Sequence, residues 1–163
     1  MANSSSNSAR LIFHGGQVEL SREVYKELLD NVEVGIYFVD RERTIVYWNK
    51  GAELITGYSS SDVLNRRCAD NILVHVDEEG NSLCTRICPL ACTLVDGNER
   101  STDVYLHHKK GQRVSVTVNI IPITDAEGKI IGAVETFRDN STARAAYHIM
   151  REEVPFMPEK TFA

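Results

Sequence analysis

Residues 44–58 read T-I-V-Y-W-N-K-G-A-E-L-I-T-G-Y, and the structural period changes in the middle of this run. Thr44 to Trp48 is rich in β-branched and aromatic residues, which predicts a strand. Asn49 then stands as an N-cap, Ala52, Leu54 and Ile55 supply the apolar face of a short helix, and Gly57 stops it. Working outward, residues 35–40 (G-I-Y-F-V-D) form a second β-rich run, joined to the first by the charged turn Arg41-Glu42-Arg43. That is a hairpin signature. Downstream, residues 59–61 start another short helix with Val63 and Leu64 directed inward, and residues 89–95 form a last helical piece closed by Gly97. Three strands follow. Residues 102–107 and 113–121 flank the turn 109–112, and in the second of them Val114, Val116, Val118 and Ile120 alternate with Ser115, Thr117 and Asn119. A turn at 125–128 leads to a final strand over 129–137. Two strands, a set of short helices, then three antiparallel strands predict an α+β fold with one five-stranded antiparallel sheet and helices on one face.

The ends of the chain carry less. Residues 1–20 read as a disordered leader, Ser/Asn-rich over its first half. Residues 21–31 predict an amphipathic helix: Ser21 can N-cap it, and Val24, Tyr25, Leu28, Leu29 and Val32 recur at helical spacing. A helix this short gains most of its stability from packing, so its stripe covers the sheet or meets a second copy. The main domain spans 32–141. Asp139-Asn140-Ser141 caps a closing helix within the C-terminal segment 142–163, stopped before Pro155.

Composition narrows the function classes. The 163 residues, 42% apolar and 25% charged, suffice for one domain with a real core. No apolar run reaches the length of a membrane span, and the start lacks a secretory-signal pattern, so a cytoplasmic protein is expected. The formal charge is −5, and the basic residues come in small pairs without a stripe, which argues against nucleic-acid binding.

All four cysteines fall in residues 68–92, C-A-D-N-I-L-V-H-V-D-E-E-G-N-S-L-C-T-R-I-C-P-L-A-C. Pro89 favours the first position of a helix, which puts Cys88 at its N-cap, where free backbone N–H groups favour a thiolate. Cys84 lies four residues earlier and can fold back toward the same point. Cys92 sits beside Leu90, Leu94 and Val95 and reads as a core residue. Cys68, His75, Cys84 and Cys88 would make a Cys₃His set suited to zinc, although the spacing is irregular. Adding Cys92 would supply four thiolates for an iron–sulfur centre. A reversible Cys84–Cys88 disulfide and plain structural thiols stay open beside these.

Taken together, residues 45–58, H-K-K-G-Q-R-V-S-V-T-V at 108–118 and D-A-E-G-K-I-I-G-A-V-E-T-F-R-D at 125–139 resemble a PAS domain, the sensory-box module of bacterial signalling proteins. The resemblance implies a sensor that binds a ligand or cofactor between helices and sheet, forms a homodimer through its flanking helices, and signals to an attached or separate output domain such as a histidine kinase or diguanylate cyclase. No output signature occurs in the sequence, so the chain is not expected to be an enzyme. Asp139 and Ser141 occupy the place of the family's Asp-x-Thr signal-transfer motif. Tyr37, Val39, Trp48, Ile72, Leu73, Val116, Val118 and Val134 are candidates to line the ligand cavity, or simply to fill the core. Cys68 lies where the photoactive cysteine of the flavin-binding subfamily falls, but it is followed by Ala69-Asp70-Asn71-Ile72 without the Arg and Gln of that subfamily. Leu106 and Val116 replace the two strand asparagines that hold the flavin ring, so flavin is rejected. Haem, for which His75 would be the ligand, is disfavoured by the acidic segment Asp77-Glu78-Glu79. The alternative to a sensor is a PAS dimerisation or protein-interaction module without a ligand.

Overall fold

The structure, a computed structural model, describes residues 11–14 and 17–153. Its first elements are β1 (Leu11–His14) and β2 (Gln17–Leu20), paired antiparallel with Leu11 opposite Leu20. For residues 11–14 and 17–20 this corrects the expectation of an unstructured leader over 1–20. The runs L-I-F-H and Q-V-E-L flank Gly15-Gly16 in the sequence, a dipeptide type that suits the positive φ values of a two-residue hairpin turn. Residues 1–10 of that leader and 154–163 of the C-terminal tail lie outside the described residues.

Helix α1 (Arg22–Asp30) follows, with the Ser21 hydroxyl accepting from the Val24 N–H. The hairpin of β3 (Gly35–Asp40) and β4 (Ile45–Trp48) leads to the short helices α2 (Lys50–Thr56) and α3 (Ser60–Val63). A long irregular segment then reaches α4 (Pro89–Asp96). Strands β5 (Arg100–His107), β6 (Arg113–Thr124) and β7 (Ile130–Asp139) complete the sheet, and α5 (Ser141–Glu153) leaves it. The five strands β3 to β7 pair antiparallel in the order β4-β3-β7-β6-β5, so the last strand lies at the centre. The α+β architecture expected from the sequence is the one observed.

One buried side chain ties the N-terminal half together. Asn49 is fully buried between β4 and α2. Its Oδ1 accepts from the Ala52 N–H, as an N-cap does, and also from the Ile36 N–H, both at 2.8 Å. Its Nδ2 donates to the Leu29 carbonyl at 2.8 Å and to the Val34 carbonyl at 2.9 Å. Helix α1, the start of β3 and the start of α2 are therefore joined through one amide. Gly51 stands in the next turn because nothing larger fits: a Cβ there would lie 2.3 Å from the Val34 carbonyl oxygen.

Strand pairing decides what faces the helices. Along β3 and β7, Gly35 opposes Phe137, Tyr37 opposes Glu135 and Val39 opposes Ala133, and all six are buried. The inner face of β6 adds Val114, Val116, Val118 and Ile120, and the core closes against Ala52, Val63, Ile72, Leu73, Leu90 and Leu94. Tyr37, Trp48 and Phe137 form an aromatic cluster within it, with ring centroids 5.5 to 6.2 Å apart.

Asn49→Ala would strand two carbonyls and two N–H groups at a buried junction. An ordinary N-cap loss costs about 1 kcal/mol, whereas unsatisfied buried groups cost about 1–3 kcal/mol each. Urea denaturation is expected to show a loss of roughly 3 kcal/mol or more. A loss near 1 kcal/mol would reduce Asn49 to a simple cap.

Candidate functional site

The inward row of β7 carries a carboxylate. Strand geometry places residues i and i+2 on one face, and Ala133 and Phe137 are both in the core, so Glu135 between them points inward as well. It is 1% exposed. This corrects the placement of Val134 among the cavity residues: Val134 pairs with Phe38 and Ile121 on the opposite face of the sheet. The sequence I-I-G-A-V-E-T-F fits either parity, and a shift of one residue exchanges the two faces. Only the pairing with β3 and β6 selects Glu135, for which the sequence holds no local signal.

His75 meets this carboxylate from the other side of the core. The segment before α4 runs along the edge strand β5: Val76 and Tyr105 exchange N–H···O bonds at 2.9 Å, and the His107 N–H donates to the Leu73 carbonyl. Arg113 Nη1 donates to the Val74 carbonyl at 2.7 Å, in a stretch where Val74 has φ of 41°. These bonds hold Leu73 and His75 in place, His75 being 8% exposed. Its Nε2 stands 3.4 Å from Glu135 Oε1. Neither atom has a hydrogen-bond partner.

Burial governs the charge of the pair. It lifts the Glu135 carboxyl to about 8, against which the Tyr37 hydrogen bond works only partly. It depresses His75 to about 4, with the nearby Arg113 charge acting in the same direction. Two buried groups with the Tyr37 hydrogen bond as their one further support do not recover the cost of ionising both, so both are neutral at pH 7. Burial, followed by the Glu135 carboxylate, also holds the Tyr37 hydroxyl well above its ordinary value. Neutral acid, neutral imidazole and phenol thus share an interior otherwise lined by hydrocarbon.

The thiols divide into two environments. Cys68 is in the core, and burial first, then Glu135 and the Cys88 and Cys84 thiols, push it up to about 12. Cys84 and Cys88 are partly buried, and burial raises Cys84. Cys88 is the N-cap residue of α4 as expected, without a side-chain capping bond. Cys92, expected in the core, is only partly buried and lines the same surface groove as Cys84 and Cys88. All four are free thiols. Among the described residues, no three His, Cys, Asp or Glu side chains are gathered to hold a metal ion. The zinc set of Cys68, His75, Cys84 and Cys88 and the iron–sulfur set with Cys92 therefore do not fit this structure, because His75 turns into the core toward Glu135 while Cys92 faces the groove.

The other candidates fall in two places. Tyr37, Val39, Trp48, Ile72, Leu73, Val116 and Val118 belong to the packed core. Leu106 and Val116 are fully buried hydrocarbon. Asp139 and Ser141 lie at the junction of β7 and α5, where the Asp139 carboxylate accepts from the Ser141 N–H at 2.8 Å. Asn140 between them donates to Thr117 Oγ1. One turn on, Arg144 pairs with Glu78 and stacks over the Tyr105 ring, 5.1 Å from its centroid. The segment that positions His75 is thereby connected to the exit helix. No helix among the described residues is long and apolar enough to cross a membrane.

Comparison with known proteins agrees with this architecture. The chain is 30% identical over 118 residues to the transcriptional activator RocR of Bacillus subtilis (strain 168), a match covering 71% of this chain and 23% of RocR. It thus spans less than a quarter of that relative's length. The crystal structure of a PAS domain from Colwellia psychrerythraea superposes with a TM-score of 0.60 at 22% identity, covering 72% of this chain and 94% of that one. A light-oxygen-voltage domain studied with a flavin analogue superposes with a TM-score of 0.59 at 21% identity, covering 78% and 92%. These two likenesses are of fold. The family model described as PAS domain matches residues 33–142, and the chain, with its five-stranded sheet and its helices over one face, belongs to the PAS domain family.

Proposed function

We propose that this PAS sensory domain belongs to a bacterial signalling protein and detects an uncharged small ligand through Glu135 and His75. The observation that carries this reading is the unpartnered pair itself: Nε2 and Oε1 face each other at 3.4 Å inside the core, each without a hydrogen bond. Buried polar atoms are ordinarily satisfied, so a pair left open is a place where a ligand hydroxyl or amide would supply what is missing. A neutral acid and a neutral imidazole favour a neutral guest over an anion. The signal passes from the His75 segment through Glu78 and Arg144, and from Asp139 and Ser141, into α5 and on to an output domain. The domain is not itself an enzyme in this reading, and it works in the cytoplasm. Flavin is set aside because Leu106 and Val116 offer its ring no donor or acceptor. Metal is set aside with the ligand sets that do not assemble.

A second reading, a dimerisation or protein-interaction module, is favoured by a separate observation. Helix α1 exposes Tyr25 and Leu28, the latter at 54%, and α5 exposes Tyr147, Ile149 and Met150. Apolar side chains on both flanking helices suit a homodimer, and the two readings are compatible.

The first reading has a pH signature. Glu135 holds its proton more tightly in the folded state than at its ordinary value of 4.5, so its contribution to stability is full below pH 4.5 and declines as pH rises toward about 8. His75 acts oppositely, its contribution being lost as pH falls from 6.5 toward about 4. Below about pH 6.5 the two effects offset each other, so thermal denaturation of the wild type should show a Tm that falls between about pH 6.5 and 8, a tenfold difference in proton affinity between folded and unfolded chains being worth about 1.4 kcal/mol. Glu135→Gln should flatten that alkaline limb, and identical profiles for the two proteins would refute a buried neutral acid. Ligand detection is tested by screening uncharged hydroxyl and amide compounds for thermal stabilisation. A hit should lose about tenfold or more in affinity with Glu135→Ala or His75→Ala, which corresponds to one hydrogen bond of about 1.4 kcal/mol. Hits that bind all three proteins equally would place the ligand elsewhere.

Dimerisation is tested by sedimentation. Leu28→Glu or Val24→Glu is expected to shift the protein toward monomer. An unchanged association state would make α1 a lid over the domain.

A further inference from the structure

Three of the four thiols open onto one groove. Cys84, Cys88 and Cys92 line a surface depression of about 560 Å³, together with Arg43, Arg86 and Ile87. Its apolar wall is unusually bare: Ile87 is 72% exposed and neighbouring Val95 84%. Its cations differ in their commitments. Arg100 at the far end is held by both carboxylate oxygens of Asp96, at 2.9 and 2.6 Å. Arg43 and Arg86 form no ion pair among the described residues, in a chain whose net charge is −5.

Arg43 is also held in an uncommon backbone conformation. Its φ is 64°, a region that residues other than glycine seldom occupy. Its carbonyl accepts from the Cys68 N–H at 3.0 Å, which fixes the turn beside the cysteine segment, and its charge favours the thiolates of Cys84 and Cys68 against the effect of burial. Thiols, two uncommitted guanidinium groups and an apolar wall occur together. The chemistry that matches all three is an anionic molecule with a soft, sulfur-centred reactive bond.

We propose that this groove takes an anionic low-molecular-weight disulfide and that Cys88 exchanges with it. The Cys88 thiol loses its proton to water, and the thiolate attacks one sulfur of the bound disulfide. The disulfide's S–S bond breaks as a new S–S bond to Cys88 forms, and the other half leaves as a thiolate that takes a proton from water. Cys88 is oxidised to the mixed disulfide while one half of the reagent is reduced to a thiol, so no further oxidant is needed. Arg43 and Arg86 hold the carboxylates of the incoming molecule. Cys88 is the attacking thiol because it lines the groove as the N-cap residue of α4 and its side chain, packed partly against the core, makes no capping bond. Burial keeps Cys84 protonated, and Cys92 lies a turn inside the helix. The thiol groove borders the Glu135–His75 pair, since the Cys84 thiol reaches the His75 backbone, but the exchange uses neither side chain of that pair.

The test compares oxidised glutathione, an anionic disulfide, with cystamine, a cationic one, on the whole chain, following adduct formation by intact-mass and peptide-mapping mass spectrometry. The expected result is a mixed disulfide mapped to Cys88 in the wild type, lost in Cys88→Ser and kept in Cys84→Ser. Arg43→Gln with Arg86→Gln should slow the glutathione reaction about tenfold, the effect of about 1.4 kcal/mol of lost attraction, and leave the cystamine rate unchanged or raised. Circular dichroism of each variant checks folding, and should Cys88→Ser fail to fold, the wild-type peptide map still assigns the thiol. An adduct mapped to another cysteine, an equal slowing of both reagents by the arginine changes, or equal wild-type rates for both reagents would overturn the proposal.

Discussion

Four hydrogen bonds made by a single amide set the geometry of the N-terminal half. Asn49 caps α2 through Ala52, closes on β3 through Ile36, and receives the ends of α1 and its connection through Leu29 and Val34. Every one of those partners is a backbone group that would otherwise be orphaned at an element's end. Gly51 allows the approach, since the Val34 carbonyl occupies the space of a side chain. With this junction in place, the β3–β4 hairpin presents Tyr37 and Trp48 to the core in a fixed register. The central strand β7 then has one way to pair, and that pairing decides which of its side chains turn inward.

What turns inward is the tension in the fold. A carboxyl, an imidazole and a phenol share an interior whose other walls are valine, leucine, isoleucine and aromatic rings. A core of this size would be filled equally well by hydrocarbon, and replacing a buried polar group by an apolar one of like shape is often neutral or stabilising. The unpartnered atoms therefore suit a responsive element better than a structural one. Their mechanical setting agrees with that role, because the segment carrying His75 pairs with β5 through Val76 and reaches α5 through Glu78 and Arg144.

The cysteine stretch divides along the same boundary between core and surface. Cys68 and His75 face inward, where burial keeps the thiol protonated and the imidazole neutral. Cys84, Cys88 and Cys92 face a basic groove. A metal site needs its donors to converge, and here they diverge across the wall that α4 and its preceding segment build over the sheet.

The sequence by itself determined the elements and their order. The alternation of β6, the caps at Ser21 and Asn49 and the glycine stops at Gly57 and Gly97 are local signals, written within a few residues and read by the same short-range physics that forms the elements. Even the Gly15-Gly16 dipeptide between the β1 and β2 runs is a local signal in the sequence, though its short flanking runs fall within a segment whose composition points to disorder. Tertiary structure alone decided the rest. Glu135 and Val134 are adjacent in a strand whose apolar residues fit both faces, and only pairing with β3 and β6 chose between them, since a period of two has no preferred phase without partners. Asn49 as more than a cap, the meeting of His75 with Glu135, and the grouping of three thiols with Arg43 and Arg86 all join residues far apart in the chain. Contacts of that kind are set by the packing of the whole sheet, and no local pattern encodes them.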